Sequence, residues 1–435
     1  MTAGMDSLIA HIQAALGDYC KPDRKICVAL SGGMDSVVLL QALAQLRVQM
    51  PFALSALHVN HGLSPHAADW AEFCQQACLA LDVPCEISTL PPLKAAGGGL
   101  ERAAREARYA IFSQVDADVL CMAHHQNDRA ETLLLNLFRG AGPHGLAAMP
   151  GTRFLNGKCL IRPFIDVPRS DLRAWAETHD FRWIEDESNN NLHFRRNYLR
   201  HVVLPAVGQQ FPAVVSVLAR TAAQMQEQTA LLARLAELDA QGCQDENGHL
   251  IISKLALLPM DAVRNVLKHR LNRLGVNIPS ARRLEALAEQ IVDVRPDAEV
   301  LVRFGDIACY LWRDQIRLDR AAQHPLPGLA VLATGGTAWP DGQLTINYPG
   351  KISVQAEIQI GPVGQGHRFH PQGRCRGVLS ELLREKGAPP WVRSRLPGLW
   401  QDDKLCWVAG IGWASGIEVG NYPEIIWMPS VAEIL

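Results

Sequence analysis

The sequence predicts an α/β protein: a parallel-sheet domain first, then a helical middle domain, then a small α/β domain at the C-terminal end. Three observations predict it. Residues 1 to about 150 alternate short apolar runs with amphipathic helical patterns. Three polar clusters, SGGMDS, HVNHG and HHQND, fall where the apolar runs end. The 435 residues exceed one ordinary core, and an apolar fraction of 48% against 20% charged supports several packed interiors.

ICVAL reads as a strand, followed by the SGGMDS turn and a helix through VVLLQAL. FALSALHVN (52–60), PCEIS (84–88) and VLCMAHH (119–125) read as further strands. The segments 66–81, 100–115 and DRAETLLLNLF read as the intervening helices, with Gly140 placed to end the last. The glycine-rich 95–99 is a loop, KCLIRPFIDV adds one more strand, and SDLRAWAETH a helix. Such alternation implies a mostly parallel sheet whose ligand lies at the strands' carboxyl ends, so the three polar clusters converge on one cleft. The expected domains are 1–210, a helical linker 211–244, a helical domain 245–325 and the end domain 350–435. The apolar positions expected along the linker helix are Val214, Val217, Leu218, Met225, Leu231, Leu232 and Leu235. The Gly- and Pro-rich 321–350 is a boundary or a set of hairpins.

A formal charge of −2 offers nucleic acid nothing on average but leaves room for a local basic face. Eleven cysteines form no C-x-x-C pair. With no secretory leader and no apolar run near twenty residues, the expectation is a cytoplasmic protein with no membrane span.

The SGGMDS loop lacks the lysine of a Walker-type phosphate loop. Gly32 and Gly33 allow backbone N–H groups to approach an anion, Ser31 and Ser36 can donate hydroxyl hydrogen bonds to it, and Ser36 begins a helix whose free N–H groups point at the same place. Asp35 would repel phosphate unless a cation lay between them, which implies magnesium; the plain alternative is a helix cap. Asp128 and Glu131 are three apart on one helix face, where they answer the helix dipole or receive a cation, either magnesium or an amine. Of His124 and His125, one faces the cleft and the other the packing. Arg105 and Arg108 form a surface ion lattice or grip a phosphate. IEDESNNNLHFRRNYLR (184–200) is an exposed loop or an RNA contact, and 366–395 holds seven Lys or Arg against two Glu, with Trp391 packed or stacking.

The combination LHVNHGLSPHAADW, AHHQNDRAETLLLNLFRGAGPHGLAAM and LIRPFIDVPRSDLRAWAETHDFRWIEDESNNNLHFRRNYLR, with GHRFHPQGRCRGVLSELLREKGAPPWVRSRLP later, resembles the tRNA(Ile)-lysidine synthases, a family of N-type ATP pyrophosphatases. The resemblance implies that ATP adenylates the C2 oxygen of the wobble cytidine in an isoleucine tRNA with a CAU anticodon. Free L-lysine then displaces AMP. It implies ATP contacts for Ser31, Gly32, Gly33, Met34, Asp35, Ser36, Arg105 and Arg108, and catalytic roles for Asp35, His125, Asp128 and Glu131. Asp35 and Asp128 would hold Mg2+. Asn189, Arg195 and Asn197, with Arg368, Arg374 and Arg376, would meet the tRNA, and a homodimer is left open. Two departures stand out: Arg129 replaces the family's glutamine, and consecutive lysines are missing before the helix of the end domain. The alternative within the same fold is tRNA 2-thiolation, which typically needs paired cysteines.

Overall fold

In the computed structural model the chain divides into two compact units, Met1–Leu231 and Leu232–Leu435. The structure describes residues 3–429 except 61, 63, 91–98, 156, 247, 276–280, 296–297, 305–306, 321–329, 332–334, 340–341, 348–357, 365 and 419–423. Most of the glycine-rich loop expected at 95–99 therefore lies outside the described residues.

Unit 1 runs α1 (Ala3–Leu16), β1 (Lys25–Ala29), α2 (Met34–Gln49), β2 (Ala53–Asn60), α3 (Ala67–Leu79), β3 (Cys85–Thr89), α4 (Gly99–Gln114), β4 (Val119–Cys121) and α5 (Gln126–Leu137). It continues through α6 (Pro143–Leu146), β5 (Thr152–Leu155), β6 (Lys158–Ile161), α7 (Arg169–Thr178), α8 (Arg195–Tyr198), a π-helical turn at Leu199–Val203, α9 (Leu204–Gln210) and α10 (Val214–Gly242), whose last residues enter unit 2. The six-stranded sheet has the order β3-β2-β1-β4-β6-β5. All neighbours are parallel except the terminal β5–β6 hairpin. β1 buries Ile26, Cys27 and Val28 on both faces, as a central parallel strand must. α2 is apolar nearly all round because it is enclosed: Val38, Leu39, Leu40 and Leu43 are fully buried in one cluster with Ile12 of α1 and Leu172 of α7. Phe112 of α4, with Leu57, Leu120 and Leu160, makes the cluster on the other face.

The expected strand at 119–125 stops at Cys121, because His125 turns out of the sheet to cap α5. In α10 the packing falls to Ala219, Ala222, Ala236 and Ala240, whereas Leu231, Leu232 and Leu235 of the expected apolar stripe stay exposed. Among the described residues no single helix is long and apolar enough to cross a membrane.

Unit 2 opens with β7 (Leu250–Ile251), α11 (Ile252–Leu255), α12 (Met260–Arg273), α13 (Ala281–Asp293), β8 (Val300–Phe304), β9 (Ile307–Trp312) and β10 (Gln315–Arg320). The helices stand where the apolar spacing puts them. Beside them lies a four-stranded sheet, β7-β10-β9-β8, that the helical reading of this region does not include. The end of the chain carries β11 (Ala330–Val331), β12 (Gly335–Trp339), β13 (Gly342–Asn347), β14 (Ile358–Pro362), β15 (Arg368–Phe369), β16 (Gly377–Val378), α14 (Leu379–Glu385), α15 (Pro390–Arg393), β17 (Pro397–Gln401), β18 (Lys404–Val408), β19 (Gly412–Trp413) and β20 (Glu424–Pro429). β12 and β13 form a hairpin that pairs with β20, so the turn-rich segment before 350 joins the end domain's sheet. Two anchors tie α15 to the middle sheet. Trp391 packs against Tyr310 and Trp312 under the Arg317 guanidinium. Arg393 meets Glu299 through two 2.7 Å bonds.

Candidate active site

β1 and β4 are neighbours, yet the chain leaves β1 toward β2 and β3 before returning to β4. At such a switch the loops leaving the two strands part to opposite faces and open a crevice. A cleft of about 460 Å³ opens there, within the size range of ligand pockets. Its walls bring together Ser31, Gly33, Met34, Asp35 and Ser36 of a first segment, SGGMDS, His124 and Asp128 of a second, HHQND, and Asn189 and Asn190 of a third, 184–200. Arg108, Arg169, Arg173, Trp183 and Arg200 complete the lining.

The first loop is braced by its own serines. Ser36 Oγ donates to the Gly33 carbonyl at 2.9 Å and accepts from the Ser31 backbone N–H at 3.2 Å. Its one proton being used, the 3.0 Å contact between the two hydroxyls is donated by Ser31. Both serines therefore shape the turn rather than offering their protons outward. What faces an anion is the start of α2, which begins at Met34 rather than Ser36. The N–H groups of Met34 and Asp35 in that first turn have no intrahelical acceptor. Gly32 sits at φ +86°, and a Cβ there would lie 2.7 Å from Ile184 Cδ1, so this position demands glycine. The Ile184 N–H closes the contact on the Gly32 carbonyl at 2.9 Å, tying the third segment to the first.

Asp35 points into the space between the segments. Its Oδ2 lies 3.6 Å from His125 Nε2 and its Oδ1 3.6 Å from Arg169 Nε. That Oδ1 is buried without a hydrogen-bond partner. His125 is the packed histidine. Its Nδ1 accepts the Asp128 N–H as the cap of α5, which leaves the ring proton on Nε2, between the carboxylates of Asp35 and Asp128. His124 is the cleft histidine, its Nδ1 taken by Arg162 Nε–H at 3.2 Å. Burial, reinforced by the Arg162, Arg196 and Arg108 charges, pushes its imidazole down to about 3.

Asp128 and Glu131 share a face, and two guanidiniums fill it. Glu131 is fully buried and accepts from Arg196 Nε at 2.7 Å, Arg200 Nε at 2.6 Å and the Arg200 terminal nitrogen at 3.0 Å. Asp128 Oδ1 accepts from Arg196 at 2.8 Å and Arg200 at 3.0 Å. Burial alone would raise the Asp128 carboxyl, but His125, Arg196, His124 and Arg200 outweigh it and hold the group well below the usual carboxylate range. Among the described residues no group of three or more His, Cys, Asp or Glu is arranged to hold a metal ion.

The chain matches the PP-loop domain family over residues 5–207, the TilS substrate binding domain over 250–318 and the TilS substrate C-terminal domain over 358–427. It is 38% identical to the tRNA(Ile)-lysidine synthase of Azoarcus sp. (strain BH72), covering 96% of this chain and 94% of that protein. The enzyme of the same description from Nitrosomonas europaea is 36% identical, over 94% and 93% of the two chains. That of Pseudomonas aeruginosa is 37% identical, over 93% of each. The chain belongs to the tRNA(Ile)-lysidine synthase family. Among solved structures, the U34-tRNA thiolase NcsA from Methanococcus maripaludis superposes with a TM-score of 0.44 at 18% identity, covering 52% of this chain and 79% of that one.

Of the residues that the family resemblance points to, the cleft is lined by Ser31, Gly33, Met34, Asp35, Ser36, Arg108, Asp128 and Asn189, whereas Gly32, His125 and Glu131 are not in its lining. Arg108 lines it, with Nε buried and unpartnered, whereas Arg105 is exposed and lies over the Tyr109 ring at 5.3 Å. Asn189 lines it. Asn197 instead bonds the Asn191 carbonyl at 3.0 Å, and Arg195 points to a separate groove. Arg200, in the π-helical turn, lines the cleft, and Arg196 of α8 stands beside it on Glu131 and Asp128. Arg169 and Arg173 of α7 line the cleft as well, and no motif in the sequence marks them. Arg129, the departure from the family, is buried and salt-bridged to Asp166 at 2.5 Å, outside the cleft lining. Arg368, Arg374 and Arg376 are exposed on or beside the small β15–β16 ribbon of unit 2. Trp391 is a packing residue there, not a free stacking surface. Among the described residues no cysteine lines the cleft.

Proposed function

We propose that this chain joins the side-chain amine of free L-lysine to C2 of the wobble cytidine in an isoleucine tRNA with a CAU anticodon, using ATP. The C2 oxygen attacks the α-phosphorus and diphosphate leaves. The lysine amine then attacks C2, losing a proton as AMP departs with the oxygen, and lysidine results. The observation that carries this reading is one cleft, at the switch point of a PP-loop sheet, lined by the SGGMDS, HHQND and SNN segments.

The residues divide the work as follows. The start of α2, opened by Gly32 and Gly33, receives the diphosphate, with Arg108 alongside. The buried Asp35 Oδ1, which has no hydrogen-bond partner, would hold a magnesium ion beside the phosphates. When bound, that ion disperses the charge of the leaving diphosphate. Asp128 fits a metal less well, because Arg196 and Arg200 already occupy its Oδ1, and we assign it to the lysine amine instead. Asp128 faces the cleft, and an ammonium can compete there with a guanidinium. Glu131, fully buried, does not touch a substrate and acts as a positioning residue that aims both arginines. His125 likewise positions Asp35 and Asp128. Asn189 lies beside the base, and Arg368, Arg374 and Arg376 hold tRNA phosphates. The reaction belongs in the cytoplasm, with tRNA and free lysine.

The test is incubation with isoleucine CAU tRNA, Mg2+, ATP and labelled lysine, followed by nucleoside analysis. Labelled lysidine is expected. Label absent from the nucleoside while ATP is still cleaved would overturn the reading, and sulfur incorporation from a sulfide donor would favour thiolation.

A further inference from the structure

A second concavity in unit 1, of about 440 Å³, is lined by Leu135, Phe138, Arg139, Leu192, His193, Arg195, Tyr198, Leu199 and Val203. It lies along the seam where α5 packs on α8 and the π-helical turn. Asp128, Glu131, Leu135 and Phe138 recur at spacings of three and four, so one face of α5 carries the cleft acids and then this groove. Leu135 and Phe138 stand about 6 and 10 Å along the helix axis beyond Glu131. A base held in the cleft would therefore have its neighbours in the chain near the groove.

The lining has an unusual composition. Phe138 is 69% exposed and Tyr198 48% exposed, a costly arrangement for rings that stack on no other ring among the described residues. Around them stand two arginines and a histidine, and no carboxylate is in the lining. Among the described residues neither Arg139 nor Arg195 makes an ion pair or side-chain hydrogen bond. Aromatic rings between unpaired guanidiniums suit unstacked bases on a phosphate backbone, since every base offers a π-face and every phosphate a charge. A second copy of this chain would instead have to bring carboxylates to meet two uncompensated cations.

We propose that this groove seats an unpaired base of the tRNA anticodon loop, a neighbour of the reacting cytidine. The base stacks on Phe138 or Tyr198 and its phosphates lie on Arg139 and Arg195. The assignment rests on the lysidine reading above. It gives Arg195 a place outside the cleft, while Arg196, its neighbour in sequence, is held by Glu131 and Asp128.

The experiment uses the full chain with Phe138→Ala, Tyr198→Ala, Tyr198→Phe and the pair Arg139→Gln with Arg195→Gln. Lysidine formation and direct tRNA binding are both measured. Each alanine variant should raise the KM for tRNA roughly tenfold, with the KM for ATP and lysine unmoved, and Tyr198→Phe should restore it. The arginine pair should lower the salt dependence of tRNA binding. An abasic substitution at one anticodon-loop nucleotide should reproduce the loss in the native protein and add nothing in the ring variant that lost its stacking partner. Unchanged tRNA affinity in all variants overturns the proposal. So does a shift in association state by sedimentation with tRNA affinity intact, which would make the groove a self-association face. Should the native protein form no lysidine, the reaction reading fails by itself, and the binding arm still decides the groove.

Discussion

Glu131→Gln tests the acid–arginine network most directly. The substitution keeps the shape but places an amide where three guanidinium N–H groups at 2.6, 2.7 and 3.0 Å now find a carboxylate. One oxygen remains an acceptor, and the new NH2 faces a donor. Removing one partner of a buried ion pair costs about 3–5 kcal/mol. Arg196 and Arg200 retain Asp128, and their side chains are 36% and 25% exposed, so water takes up part of the loss and the lower end applies, about 3 kcal/mol. For a unit of 231 residues that is a fall of roughly 6–12 °C in Tm. Because Arg200 lines the cleft and Glu131 does not, adenylation and lysine transfer should fall together rather than the lysine step alone. Thermal melting with rapid-quench separation of adenylated tRNA from lysidine gives both readouts. Adding Arg200→Gln should cost less than the two single losses summed, by about 1 kcal/mol or more. A variant that melts with the native protein, or losses that add independently, would refute the reasoning. Selective build-up of adenylated tRNA would return Glu131 to direct contact with lysine.

Asp35→Asn should abolish tRNA-dependent adenylation and flatten its Mg2+ dependence while tRNA binding stays within about twofold, and native turnover would remove the metal assignment. His124 is neutral in the fold down to about 3 but protonates near 6.5 when unfolded, so the unfolded chain binds more protons between those values and stability should fall as pH drops through them. Urea unfolding across that range should show a shallower fall for His124→Asn; an identical slope would mean that His124 is not the group resisting protonation. Asp128, held low in the fold, adds a second loss only below its unfolded value of about 4. Neutralising Arg374 and Arg376 together should raise the KM for tRNA and reduce the salt slope by about one to two, and an unchanged slope would leave them as ordinary surface charge.

The fold of unit 1 was legible because its signals are local. Each strand is a short apolar run ended by a polar cluster, and each helix announces itself by period. Parallel pairing then forces the loops leaving β1 and β4 to one edge, which is why SGGMDS and HHQND meet in one cleft as expected; of the third expected cluster, HVNHG, only Val59 among the described residues reaches the lining, and His58 is buried on the Leu30 carbonyl instead. The middle sheet was hidden for the opposite reason. β8, β9 and β10 are five or six residues long, follow two strongly helical segments, and owe their stability to pairing with each other rather than to any pattern of their own. Trp391 shows the same limit at one residue. Beside seven basic residues it resembles a stacking platform, and only the position of Tyr310 and Trp312 across the sheet makes it an anchor.

The arginines mark where reading a charge run breaks down. Arg195 and Arg196 are adjacent, but a helix turns about 100° per residue, so they cannot share a face. Arg196 and Arg200, four apart, can, and they meet Glu131 across 65 and 69 residues of sequence. From sequence the acids looked like an empty negative pocket because nothing local balances them. In the fold the balance comes from the third segment, the same one whose Ile184 N–H closes on the Gly32 carbonyl. The SGGMDS loop, the acids and the arginines are thus joined through one returning strand of chain. Phosphate entering beside Arg200 and ammonium entering beside Asp128 would weaken the same pair of contacts from opposite sides. The two substrates should therefore favour each other's binding, because each relieves the partner that the other displaces.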